Sequence, residues 1–375
     1  MQYKKKIRIG IAAETIVIAI VAAIAILLSQ KESDSVTVSS SGYIKWVDFN
    51  VSYEALCKAY DADVGTYGKK CHIDWIELLS YTAAKTGGEF GKSALNDMDE
   101  TIEQLTDGTS TIEKLAKDMK YYDYYLNAYS AVLGGYVGEY ELQTEKDGKS
   151  SWEKVYGLKA FSPIAKGFDY SDYDDFGVSR SYGFQRAHLG HDMMGQIGTP
   201  VIATESGYVE AIGWNKYGGW RIGIRSFDHK RYYYYAHLRQ NYPYAEDLKE
   251  GSIVTAGDVI GYMGHTGYSE TENTNNIDEV HLHFGVQLIF DESQKEGNSE
   301  IWVDCYNLTR FLRKHRSEVE KVEGTKQWQR VVQIKDPDVE VYESEASEST
   351  ENVESTESTK NTENEESLGS TESVR

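Results

Sequence analysis

Cysteine, proline and positive charge are all scarce in this chain. Three of its 375 residues are cysteine, Cys57, Cys71 and Cys305, too few for a disulfide framework. Cys57 and Cys71 could pair outside the cell; free thiols are the default, and Cys305 is left over in either case. Four prolines leave no proline-rich spacer to mark a domain boundary. Lysine and arginine total 39 against 60 acidic residues, a formal net charge of −21, which disfavours nucleic acid as a partner. The imbalance is uneven. From Asp336 to Arg375 there are thirteen acidic residues against Lys360 and Arg375, a net of −11. The rest is mildly acidic and implies no partner.

One long apolar run is present, Ile9 to Leu28, interrupted by Glu14 and preceded by Lys4, Lys5, Lys6 and Arg8. Twenty residues at about 1.5 Å rise span about 30 Å, a bilayer core. The basic flank favours the cytoplasmic side and sends the remaining chain outward. A cleaved signal peptide is the competing reading. No cysteine follows the run closely enough for lipid attachment. The expectation is a single-pass anchor at 9–28, a cytoplasmic stub at 1–8 and an extracytoplasmic bulk.

Residues 29–42 are serine-rich and read as a tether. Residues 43–145 read as a helical domain of unknown role and unknown protein partner. Asp74 and Glu77 form a capping-box pattern ahead of "WIELLSYTAAKTGG", and Ser110 with Glu113 repeats it. Glu77 or Glu89 could serve as the general acid of a glycan-cleaving module, but a lone glutamate on a helix is usually a solvated face. Residues 146–180 read as a polar connector containing "YSDYDDFG". From 181 to 312 glycines separate short β-branched and aromatic runs such as "GYVEAIGW", "RYYYYAHL" and "VHLHFGVQL", the texture of an antiparallel all-β domain. Residues 313–335 form an extension whose "TKQWQRVVQIKD" is either packed or membrane-near. Residues 336–375, nearly devoid of large apolar side chains, read as a disordered acidic tail. The fold class expected is multidomain, helical then all-β, with an open groove.

Chemistry concentrates in the β region. In "VHLHFGVQL", His281 and His283 lie two apart and share a strand face, while Val280, Leu282 and Phe284 take the other. Two imidazoles on a rigid strand suit zinc, although an H-x-H pair is often only an exposed polar face. A catalytic zinc needs three protein ligands and an open position. "RAHLGHD" offers His188, His191 and Asp192, with Gly190 permitting a sharp turn. His237 ends the "YYYYAHL" strand on the face of Tyr233 and Tyr235. His72, His229, His265 and His315 read as surface histidines.

Taken in order, "HLGHD", "GTPVIATESGYV", "YAHL", "AGDVIGYMGHTGYS" and "HLHF" resemble the lysostaphin-type (LytM-type) zinc metallo-endopeptidases that cut peptidoglycan peptides. The resemblance runs from about Ser181 to Leu288. It implies a Zn2+ held by His188, Asp192 and His283, with water in the fourth position. It implies His281 as general base, and His237 orienting the water or stabilising the oxyanion. His191 takes the variable position and is expected to line the groove or the surface. The loop "SETENTNNIDEV" is longer than the family's turn and is expected to form a groove wall. The alternative function is an idle scaffold or activator in the cell envelope, for example in endospore formation, as some relatives are.

Overall fold

The computed structural model describes residues 43–181 and 185–347. The chain divides into two units, Met1–Val47 and Asp48–Arg375, and the second holds the helices and sheets. The stub, the apolar run 9–28, the tether and the tail from 348 lie outside the described residues. Among the described residues no helix is long and apolar enough to cross a membrane.

Five helices open the unit: Tyr53–Thr66, Trp75–Thr86, Lys92–Thr106, Ile112–Ala116 and Tyr122–Leu133. The Asp74 carboxylate accepts from the backbone N–H of Ile76 at 2.8 Å and Glu77 at 2.9 Å, starting the second helix. Gly87, at φ 72°, stops it in the left-handed conformation that glycine adopts without Cβ strain. Ala55, Leu56, Leu78, Leu79, Met98, Ala128 and Val132 are buried. The second capping position is Thr111, one residue later than Ser110; its side chain accepts from Lys114 N–H.

The helical region ends earlier than the sequence reading placed it. Val137–Lys146 and Lys149–Leu158 form an antiparallel hairpin in continuous register, not a helix end and a connector. Its turn is Asp147–Gly148, both at positive φ (53° and 70°), the Asp-Gly signature that matches strand twist. The strand Ile334–Lys335 pairs with the first hairpin strand, so the "QIKD" extension is packed in a sheet. Lys159, buried, holds Asp336 at 2.9 Å, and Ser206 Oγ donates to the same carboxylate at 2.7 Å. Residues 337–347 are helical, and Tyr342 stacks on Phe227 with centroids 4.5 Å apart. Residues 336–347 of the acidic tail are therefore ordered, by a buried ion pair and aromatic stacking.

The main sheet has eight strands, all pairings antiparallel. Their order is Ile253–Val254, Gly207–Asn215, Gly219–Ser226, Arg231–Ala236, His281–Leu288, His191–Met194 and Ser171–Asp172. Ile301–Val303 also pairs on His281–Leu288. The edge strand Ser171–Asp172 belongs to the stretch read as a connector. Its backbone completes the sheet beside His191–Met194. The unit is thus helical, then antiparallel β. Arg231, at the start of a sheet strand, donates to the Ala131 carbonyl in the last turn of helix Tyr122–Leu133 at 2.8 Å.

Candidate metal centre

The central strand His281–Leu288 positions the site. On one side it faces His191–Met194, with His283 directly opposite Asp192. On the other it faces Arg231–Ala236, with Ala236 opposite His283. Leu282 and Phe284, on the reverse face, are fully buried, which locks the register that presents the histidines. His188 lies in the turn that leads into His191–Met194.

Three donor atoms converge. His188 Nε2 lies 3.1 Å from Asp192 Oδ1 and 3.0 Å from His283 Nδ1, and His283 Nδ1 lies 2.9 Å from the same carboxylate oxygen. Among the described residues this is the one group of His, Cys, Asp or Glu side chains able to hold a metal ion. Two imidazole nitrogens and one carboxylate oxygen are a zinc donor set. Tetrahedral bonds of about 2.0–2.1 Å place such donors roughly 3.3 Å apart, close to what is seen. The set fits zinc with three protein ligands.

Gly190 has a different reason than a sharp turn. A Cβ there would lie 2.6 Å from His283 Cε1 and 2.8 Å from the Phe284 carbonyl oxygen. Only a residue without a side chain lets the turn approach the third ligand.

An outer contact fixes the His188 tautomer. His188 Nδ1 is 3.2 Å from both the backbone carbonyl and the Oδ2 of Asp175. It therefore carries the proton and leaves Nε2 free for a metal. Arg180 bonds Asp175 and lies 2.9 Å from Asp192 Oδ2. Burial pushes the Asp192 carboxyl up, but the His188 and His283 imidazoles beside it outweigh burial and hold the group well below the usual carboxylate range. Burial lowers His283, opposed by the Asp192 charge.

Two further histidines flank the donors. His281 Nδ1 donates to the Glu279 carbonyl at 2.9 Å, and its Nε2 is 3.8 Å from Asp192 Oδ1. His237 Nδ1 donates to the Thr266 carbonyl at 2.9 Å. Its ring centroid is 4.7 Å from that of His281. Burial drives its pKa well below the ordinary value. His237 does not reach the site by sharing a strand face with Tyr233 and Tyr235. Those two rings lie against Phe284 on the core side. His237 instead follows the strand's end with φ 61°, and this left-handed residue swings the ring to the opposite face.

His191 lines neither the groove nor the surface. Its ring is buried, with Nδ1 2.7 Å from Thr309 Oγ1 and edge contact to Tyr306. Both partners belong to the helix Tyr306–Leu312, behind the sheet. Alternation along the strand sends it away from Asp192, and burial lowers its pKa to about 4. His229 and His72 are exposed, as read. His265 and His315 are half-buried instead, their Nδ1 atoms bonding the carbonyls of Ile277 and Ala160.

The site opens into a groove. A cavity of about 730 Å³ is lined by Arg186, Leu189, Tyr217, Tyr234, His283 and Trp302 among others. A second, of about 310 Å³, shares Tyr217 and adds Tyr268, Ser269, Glu270 and Asn276. The long loop therefore forms a wall of this second cavity. Asn273 pins it, accepting from Trp220 Nε1 at 2.9 Å and Asn241 N–H at 2.8 Å. Among the described residues, none lining these two cavities comes from the helical region. Glu89 is exposed and Glu77 sits in a helix first turn beside Asp74; neither lines the groove. Cys57, Cys71 and Cys305 are all free thiols.

The sequence reading brought together His188, Asp192, His237, His281 and His283. It missed Asp175 and Arg180, which lie in no metal-spacing pattern.

Residues 186–296 match the sequence profile of peptidase family M23. The L-Ala–D-Glu endopeptidase of Bacillus subtilis strain 168 is 41% identical over 130 residues, 35% of this chain and 38% of that protein. Lysostaphin of Staphylococcus simulans is 36% identical over 120 residues, 32% of this chain and 20% of that protein. The chain thus spans well under half the length of these curated relatives. Among solved structures, the catalytic domain of lysostaphin from Staphylococcus simulans aligns at 30% identity with a TM-score of 0.29, over 38% of this chain and 92% of that one.

Proposed function

We propose that this chain, whose residues 186–296 match peptidase family M23, is a zinc metallo-endopeptidase that hydrolyses peptide bonds of peptidoglycan stems or cross-bridges. The observation that carries the reading is the convergence of His188, Asp192 and His283 within 3.1 Å of one another, with His281 and His237 beside them. No metal or catalytic position is replaced, and nothing in the site favours an idle scaffold.

His188 Nε2, Asp192 Oδ1 and His283 Nδ1 would hold the ion. A bound zinc supplies Lewis acidity, lowering the pKa of water toward about 7 and polarising a carbonyl. His281 acts as general base. Its Nδ1–H is committed to the Glu279 carbonyl, so Nε2 is free to take a proton from the attacking water and pass it to the departing amine. His237 has the same tautomer, because Nδ1–H is committed to Thr266. Its Nε2 is then an acceptor. This supports orienting the water rather than donating to an oxyanion. Tyr217, Tyr234 and Trp302 offer the peptide an aromatic floor.

The relatives are named for two different bonds, L-Ala–D-Glu and, in the glycyl-glycine endopeptidase ALE-1 of Staphylococcus capitis, glycyl-glycine. The test digests two walls, one with glycine cross-bridges and one without, using full-length protein with and without a chelator. New amine termini that vanish with the chelator support the reading; none from either wall would sink it. The run 9–28 anchors the chain in the membrane and leaves the bulk facing the wall. Membrane fractionation and protease accessibility from outside check this, and a soluble or protected chain refutes it.

A further inference from the structure

We infer that Asp175 and Arg180 are positioning residues of the metal site, selecting which atoms His188 and Asp192 present to the ion. This rests on the zinc reading above. Both residues precede residue 186, where the family match begins, so the chain supplies them from its own connector.

The segment is fastened to the ligand turn along its backbone. Gly177 N–H donates to the His188 carbonyl at 2.7 Å, and His188 N–H donates to the Val178 carbonyl at 3.0 Å. The Asp175 side chain is 4% exposed. Its own carbonyl accepts from His188 Nδ1 at 3.2 Å, and its carboxylate Oδ2 lies 3.2 Å from the same nitrogen. A histidine anchored through Nδ1–H has one tautomer, with the Nε2 lone pair turned to Asp192 and His283.

Arg180 acts on the second ligand. It lies 2.9 Å from Asp192 Oδ2 while also bonding Asp175. The guanidinium therefore occupies one carboxylate oxygen, and Oδ1 alone faces the two imidazole nitrogens. A carboxylate held this way contributes one donor. A zinc site with two histidines and one such carboxylate keeps its fourth position open, which hydrolysis requires. Arg180 also places a positive charge between two buried carboxylates that would otherwise repel each other.

The experiment measures the zinc dissociation constant of the full chain by competition with a chromophoric chelator. The variants are Asp175→Ala, Arg180→Gln, the conservative Arg180→Lys, and Tyr173→Ser as a control on an exposed neighbour. Circular dichroism and melting of each metal-free protein report folding. Asp175→Ala and Arg180→Gln should each weaken zinc binding about 10–100-fold. Arg180→Lys should recover much of the loss, and Tyr173→Ser should match wild type. Folded Asp175→Ala and Arg180→Gln proteins that bind zinc within about twofold of wild type overturn the inference, the expected loss being far larger. Should the alanine variant fail to fold, Arg180→Gln decides by the same threshold. A wild-type chain that binds no zinc overturns the proposed function as well. Wild-type binding with unchanged variants overturns this inference alone.

Discussion

Replacing Arg231 with methionine should destabilise the whole Asp48–Arg375 unit. Arg231 is 1% exposed and Glu205 6%. The guanidinium meets Glu205 through Nε at 2.7 Å and Nη2 at 2.9 Å, and Asp228 through Nη2 at 2.8 Å. Nη1 donates to the carbonyls of Ala131 at 2.8 Å and Ser130 at 3.3 Å, capping the helix Tyr122–Leu133. Methionine fills similar space but leaves the Glu205 charge buried and the Ala131 carbonyl without this donor. Breaking a buried pair from one side costs about 3–5 kcal/mol. At about 2–4 °C per kcal/mol the melting temperature should fall by about 10 °C. The double variant Arg231→Met with Glu205→Met removes the orphan charge and should recover at least half of that. Thermal and urea unfolding measure both. A fall under about 2 °C for Arg231→Met, less than one kcal/mol, would refute the reasoning. So would a double variant whose loss equals the sum of the two single losses.

Gly190→Ala should disturb the third ligand, because the Cβ meets both the His283 ring and the Phe284 carbonyl. Overpacking of about 1–3 kcal/mol translates to about 5–150-fold weaker zinc binding, read by chelator competition; unchanged affinity would show that the turn has slack. His237→Ala should keep zinc but lower kcat about 10²-fold or more, with a smaller effect on KM. A change in KM alone would assign His237 to substrate binding. Chelation should lower the melting temperature of wild type, since the three ligands join two strands and a turn. At zinc 100 times its Kd the shift corresponds to about 2.7 kcal/mol, and identical melts with and without chelator would contradict it.

The pairing of His281 with His283 was legible in the sequence because strand period two is rigid, while the ligand set came with the family resemblance. His281 and His283 had to share a face, and burial of Leu282 and Phe284 on the other side keeps them there. The helix at Trp75–Thr86 was equally legible, since Asp74 and Gly87 act within a few residues of the chain. What escaped depends on distant contacts or single dihedrals. No pattern in "YSDYDDFG" announces that Asp175 meets His188, because backbone bonds from Gly177 and Val178 fold the segment back. His237 was identified for the wrong reason: one positive φ reverses the face that alternation assigns. The Asp147–Gly148 turn carried its own signal, but the aromatic helical texture before it masked the hairpin. In the tail, composition argued for disorder, while Lys159 and Ser206, far upstream, hold Asp336 in place.

The central claim is that a zinc-bearing site with His281 as base cleaves wall peptides. The most direct measurement pairs metal analysis with amine release from peptidoglycan, on wild type and His281→Ala prepared identically. The account predicts about one zinc per chain in both proteins and amine release falling by about 10²–10⁴-fold in the variant. Wild type without zinc or without release, or a His281→Ala chain as active as wild type, would contradict it.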